Sequence, residues 1–471
     1  MLGQQPVPRK QTSRVRTERS IEIENLLGRA RSLPPEFAID IFFRVQKSNR
    51  VDKQWRKEIL EEAFTLTTSV QNELLEKSTP FPGGPADTRA GYRSLAFALN
   101  LDSLSLRSNI IEEMLSIDKT AALRMLNEIP PKLPFKTRSC SAQTVYDVSK
   151  FYRVLEKIAW AVYDEKRIQQ GERVQFILRY VESMSSPAQI TPVLDLLISL
   201  KLRQNETFIL SRAFAAALKN IATDDRSFSA ALISDRTISK IFRLGDSYGR
   251  MSVAFDEIRT AYRSYVSRHL NAARCEDSLR LLEEQLKELN YFYPDNVFSI
   301  DETKPRSVEK TPARKPYFET SQAKTLLSEL KELRGYDDDD PASREPYTSA
   351  SWQEKMLDYL RRLEAWDGSS EADGQDYFHQ ACLVYQTLFQ IAPAGTPSDH
   401  VLISYSKLLG QQTAISESRV EWLWHVTMLI RRINEKPSDE RMRLLNILSN
   451  SKNPILQIYG DLAKTNLYGV K

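Results

Sequence analysis

A chain of 471 residues, 41% of them hydrophobic and 27% charged, is too long for one ordinary core and too apolar to remain unfolded. Its 66 Lys and Arg against 62 Asp and Glu leave a formal charge of +4, which excludes an argument for nucleic acid from bulk charge. Only 15 glycines, few stretches of period two and no apolar run of about eighteen residues exclude a sheet-dominated fold and a helical membrane span.

In chain order, residues 1–20 carry Arg9, Lys10, Arg14, Arg16 and Arg19 against Glu18 alone. They read as a flexible basic tail, with no aromatic residue interleaved to stack on bases. The opening MLGQQPVP lacks the apolar core of a signal peptide yet has the character of a mature N-terminus, so two readings stay open: a start further upstream with export, or a cytoplasmic location. A helix begins at Ile21. Leu33 to Thr67 then spells a helical hairpin: Pro34 and Pro35 suit a first turn, and Phe37, Ile41, Phe42 and Val45 fall on one face. Ser48 to Val51 makes a polar turn, Asp52 caps, and Trp55, Ile59, Leu60, Ala63 and Phe64 form the second stripe. So short a link requires antiparallel packing.

Ser78 to Asp87, with three prolines and paired glycines, breaks the pattern. Asp102 and Asp118 each stand before an apolar-periodic run, and Ile129 to Phe135 is extended. From Thr144 a broad face through Val145, Val148, Phe151, Tyr152, Leu155 and Ile158 predicts a helix of about five turns. Helical segments follow at 174–184, 190–202, 208–221, 228–244, 251–270 and 279–291. The stretch 294–318 is polar, charged and proline-bearing, and reads as a linker. Beyond it, helices are expected near 319–333, 352–366, 377–391, 400–409, 417–433, 439–448 and 454–467. The expected fold is all-α: an α-solenoid-like stack of antiparallel hairpins over 21–293, with a second, smaller helical domain over 319–471.

The segments LPPEFAIDIFFRV, TVYDVSKFYRVLEKIA, DYFHQACLVYQTL and ESRVEWLWHVTMLI together resemble a group of exported, uncharacterised α-helical proteins of soil bacteria. The likeness runs over most of the chain in the same order. It implies fold, domain order and an exported location, and no catalytic residue. Three cysteines, Cys140, Cys275 and Cys382, do not make a disulfide framework. A Cys140–Cys275 bridge and two ordinary thiols both fit the residues, and cysteines at positions resembling these two recur in that group.

Candidate chemistry is sparse. His379 and Cys382 lie three apart on one helix, a metal spacing with only two ligands and no second pair. Glu421 and His425 are four apart where a di-iron carboxylate site wants Glu-x-x-His twice, so Trp422, Trp424 and His425 read as an aromatic seam. Asp337 to Asp340 and Asp367 to Asp376 lack the alternation of a calcium loop. Gly245 and Gly249 form an isolated pair with no preceding strand, so no nucleotide is expected. Four histidines leave little room for imidazole catalysis. Accordingly no catalytic, metal or cofactor residue is assigned.

The leading expectation is a non-enzymatic scaffold that binds protein or peptide along a groove. The residues put forward for it are Tyr248, Arg250, Tyr262, Arg263, Tyr265 and Arg268, a polar-aromatic face. The alternative is an all-α hydrolase using helix-borne carboxylates on a polysaccharide or lipid. Two inward carboxylates with raised pKa values in a deep apolar cleft would mark the hydrolase.

Overall fold

The computed structural model describes residues 19–70, 74–78, 96–139, 144–228, 231, 237–249, 252–270, 272, 274–275, 286–291, 308–309, 320–335, 347–368, 374–412 and 419–465. Over these residues the protein is all-helical apart from two short strand pairings. No helix among them is long and apolar enough to cross a membrane.

The opening hairpin forms as its residues dictate. Helix α1 spans Ile21–Ala30; α2 (Pro35–Val45) starts on Pro35 and buries Phe37, Ile41, Phe42 and Val45. Helix α3 (Lys53–Leu66) is capped by Asp52, whose Oδ1 accepts from the Trp55 amide at 2.9 Å. The same device starts α4 (Ser103–Ile117) at Asp102 and α5 (Lys119–Asn127) at Asp118, each side chain taking up an orphaned amide of the first turn.

Thr144–Tyr146 departs from the expected long helix. It is a strand, β2, paired antiparallel with β1 (Glu76–Ser78), so that Val145 lies opposite Lys77. A β-branched and an aromatic residue in extended backbone are free to pair, and Asp147 Oδ1 accepts from the Ser149 amide where the helix takes over. Helix α6 accordingly begins late, at Ser149, and ends at Val162.

Helices α7 (Glu165–Gln169), α8 (Glu172–Glu182), α9 (Ile190–Ser199), α10 (Gln204–Asn220), α11 (Thr237–Tyr248) and α12 (Val253–Leu270) follow. Alternate helices stack, α8 on α10 on α12 and α9 on α11, while α6 meets both α8 and α9. A buried ion pair crosses one of these contacts: Arg173 of α8 donates to both Glu206 carboxylate oxygens on α10. In the expected linker, Val308–Glu309 (β4) pairs in parallel with Arg274–Cys275 (β3); the rest of it lies outside the described residues.

The remaining helices are α13 (Ser321–Arg334), α14 (Ala350–Ala365), α15 (Gly374–Ile391), α16 (Thr396–Gln412), α17 (Arg419–Asn434), α18 (Ser438–Ser449) and α19 (Pro454–Lys464). Here too every second helix packs: α13 on α15, α14 on α16 on α18, α15 on α17 on α19. The last helices then meet the first. Phe37 of α2 lies 5.6 Å from Trp422 of α17, and Tyr459 of α19 donates to Asp40 of α2 at 2.9 Å. Buried apolar residues from Ile23 to Ala463 make one connected core.

Candidate functional site

The residues expected to form a polar-aromatic face divide between interior and surface. Tyr262 and Tyr265 of α12 are 1% and 2% exposed, and Tyr265 meets Phe228 edge-on at 5.6 Å. Burial pushes the Tyr265 hydroxyl well above its ordinary pKa, and does the same to Tyr248, half-buried at the end of α11. Arg263 is partly buried, and Arg268 turns back to donate to the Leu218 carbonyl at 2.8 Å. Arg250 and Cys140 lie outside the described residues, and Cys275 is described only in its backbone, in β3. Two of the three rings are thus packed inside, where no partner reaches them. An inward tyrosine and an outward one look alike in sequence until the neighbouring helices are known.

Two other constellations stand out, both in the C-terminal helices. The first is a buried relay. On α15, His379, Cys382 and Gln386 share one face; on α17, Glu421 and His425 are one turn apart; α16 contributes Tyr405. Gln386 Nε2 donates to His425 Nδ1 at 3.0 Å and to the Tyr405 hydroxyl at 3.0 Å. With Nδ1 accepting, His425 carries its proton on Nε2 and donates to His379 Nδ1 at 2.9 Å. His379 in turn donates from Nε2 to the Glu421 carboxylate at 2.8 Å. The hydrogen bonds Gln386–His425–His379–Glu421 thus run as one continuous chain.

An extra proton on His425 would face an amide donor and another imidazole. Burial, and secondly His379, holds the His425 pKa well below the ordinary histidine value. Cys382, fully buried and hydrogen-bonded to Tyr405, is pushed the other way, its thiol pKa well above normal. Imidazoles wired to a carboxylate are the parts of acid–base catalysis, which also needs contact with a substrate. Both histidines are 0% exposed. Their nitrogens address one another on opposite sides of His379 instead of converging, and among the described residues no group of three or more His, Cys, Asp or Glu is arranged to hold a metal ion. The relay locks α15 to α17 and, through Tyr405, to α16.

The second constellation is an open groove of about 1090 Å³ between α16, α18 and the start of α19. One face of α16 supplies Ile403, Ser406, Lys407 and Gln411; one face of α18 supplies Arg443, Asn446 and Ile447, continued by its C-cap Asn450. Both sets recur at helical pitch. Ile403 is 40% exposed, an apolar side chain left open on the wall. Lys452 and Asn453 close one end, Asn453 capping α19 through the Ile455 and Leu456 amides. Arg443 is ion-paired with Asp399, whereas Lys407 and Lys452 have no ion-pair partner among the described residues. The described lining holds three cations and neither a carboxylate nor an imidazole.

Such a lining offers charge, amide hydrogen-bonding groups and a little apolar surface. Sequence reasoning passed over it, although the run NILSNSKNP, with three asparagines and a lysine between two helices, carried the signal. No family model matches this chain, and no curated protein matches it significantly.

Proposed function

We propose that this protein is a non-enzymatic helical scaffold that binds a polypeptide partner in the groove between α16, α18 and α19. We infer with it a solenoid-like stack of hairpins over 21–293 and a smaller helical domain over 319–471. The stacking of every second helix supports this arrangement, since it is how hairpin arrays build extended surfaces. The observation that carries the functional reading is the groove lining: cations, carboxamides and isoleucines, without an acid.

The hydrolase alternative needs two carboxylates facing a cleft. The buried acids among the described residues instead have structural duties: Asp102 caps α4, Asp225 accepts from the Ser227 amide, Glu206 pairs with Arg173, Glu36 with Arg419, Asp40 with Arg44, Glu76 with Arg138, and Glu421 belongs to the relay. An exported location, carried by the resemblance to exported bacterial proteins, belongs to the same proposal and is tested by fractionation of the source cells.

Selection of a displayed random-peptide library on the immobilised protein tests the scaffold reading. Enriched peptides should bind the wild type and lose binding to Ile403→Glu. Turnover of chromogenic glycoside or ester substrates that survives Ile403→Glu would restore the hydrolase.

A further inference from the structure

Taking the groove as a polypeptide site, as proposed above, we infer that its occupant is an acidic, extended segment of a partner protein. Three features carry this. Lys407 on α16 and Lys452 in the α18–α19 loop stand exposed on the groove lining with no acid to neutralise them among the described residues, so an incoming carboxylate finds unused positive charge. Asn446 and Asn450 are exposed one turn apart, and neither side chain has a hydrogen bond among the described residues. A carboxamide offers one acceptor and paired donors, the complement of a peptide unit.

Their spacing selects the conformation. Four residues along a helix advance roughly 6 Å, close to the roughly 6.7 Å between alternate residues of an extended chain. Asn446 and Asn450 therefore match alternate peptide units of a strand laid along α18. Ile403 and Ile447 supply apolar wall on the two facing helices, room for an aliphatic side chain between acidic ones. From Ile403 to Gln411 the wall of α16 runs roughly 12 Å, the length of about four extended residues. Nucleic acid fits less well. The described lining contains no aromatic side chain on which a base could stack.

The test is fluorescence anisotropy with labelled peptides of alternating Leu and Glu, against peptides of equal length with Gln for Glu and against single-stranded oligothymidylate. The Glu peptide should bind about tenfold more tightly than the Gln peptide and weaken as salt is raised. Lys407→Glu with Lys452→Glu should abolish the preference, and Asn446→Leu with Asn450→Leu should weaken both peptides alike. All four positions are exposed, and unchanged thermal melts would verify that the variants fold. Equal binding of both peptides, lost on Ile403→Glu, overturns the acidic occupant and leaves the scaffold standing. Binding of neither peptide overturns both readings. Oligothymidylate binding above that of the Glu peptide overturns the polypeptide occupant.

Discussion

A buried imidazole is stable only if both its nitrogens are served, and the relay serves two at once. His379→Leu removes the middle of the chain, leaving the Glu421 carboxylate and the His425 Nε2–H buried without each other's go-between. Removing the donor to a buried carboxylate costs roughly 1–3 kcal/mol. Glu421→Gln keeps an acceptor for the His379 proton and should cost less; urea midpoints of the two variants give the order. His425 adds a pH signature. Its folded pKa is depressed, so the unfolded chain binds the extra proton, and the stability it contributes is present above the ordinary value of 6.5 and lost as pH falls through the folded value. In wild type the urea midpoint should drop below about pH 6.5, and in His425→Phe that dependence should shrink by up to one proton. A wild-type midpoint flat from neutrality to acid would mean the relay takes up no proton on unfolding. In the sequence, Glu421 and His425 were visible as an i, i+4 pair and His379 as a neighbour of Cys382. Their union was not, because 42 residues separate His379 from Glu421 and helical pitch says nothing about which distant face a face meets.

At the scale of elements, the caps were legible because their chemistry is local. Asp52, Asp102 and Asp118 each announce a helix and each start one. The β1–β2 pairing was not, since three residues are too few to display a period and their partner lies far along the chain. Asp102 separates two parts of a cap. Its carboxyl is fully buried, and burial raises its pKa, so charge at this position opposes folding as pH rises through the folded value. Asp102→Asn keeps an acceptor for the Ser105 amide without that charge and should hold or raise the neutral-pH melting temperature. Asp102→Ala loses the cap and should cost about 1 kcal/mol. Equal losses in both would mean that the carboxylate is worth more than its oxygen. Gly460 decides how closely α19 approaches α18: a Cβ there would lie 2.8 Å from Ser449 Oγ and 2.9 Å from its backbone nitrogen. Because backbone cannot step aside as a side chain can, Gly460→Ala should cost roughly 1–3 kcal/mol. It should also weaken peptide binding in the groove these helices border, as anisotropy would record.

At the scale of the whole molecule, helical pitch predicted rods, and their stacking order came from contacts that no period encodes. The clearest instance is the meeting of the two ends. Arg419 pairs with Glu36 at 3.0 Å, Arg29 with Asp461 at 2.7 Å, and Asp40 accepts from Arg44 and from Tyr459 of α19 together. The C-terminal helices are therefore fastened to the first hairpin. Asp40 is the fastening with most at stake, because its carboxylate and the Arg44 guanidinium are both nearly buried. Asp40→Ala removes the carboxylate that Arg44 and Tyr459 share and should cost more than Tyr459→Phe, which removes one hydrogen bond at about 1 kcal/mol. If the ends fold as one unit, amide exchange in α1–α2 and in α17–α19 slows and quickens together, and Asp40→Ala raises the rate in both. Faster exchange confined to α2, with α19 protected as in wild type, would show that the contact joins two independently stable parts, and that the C-terminal helices hold the groove without help from the N-terminal hairpin.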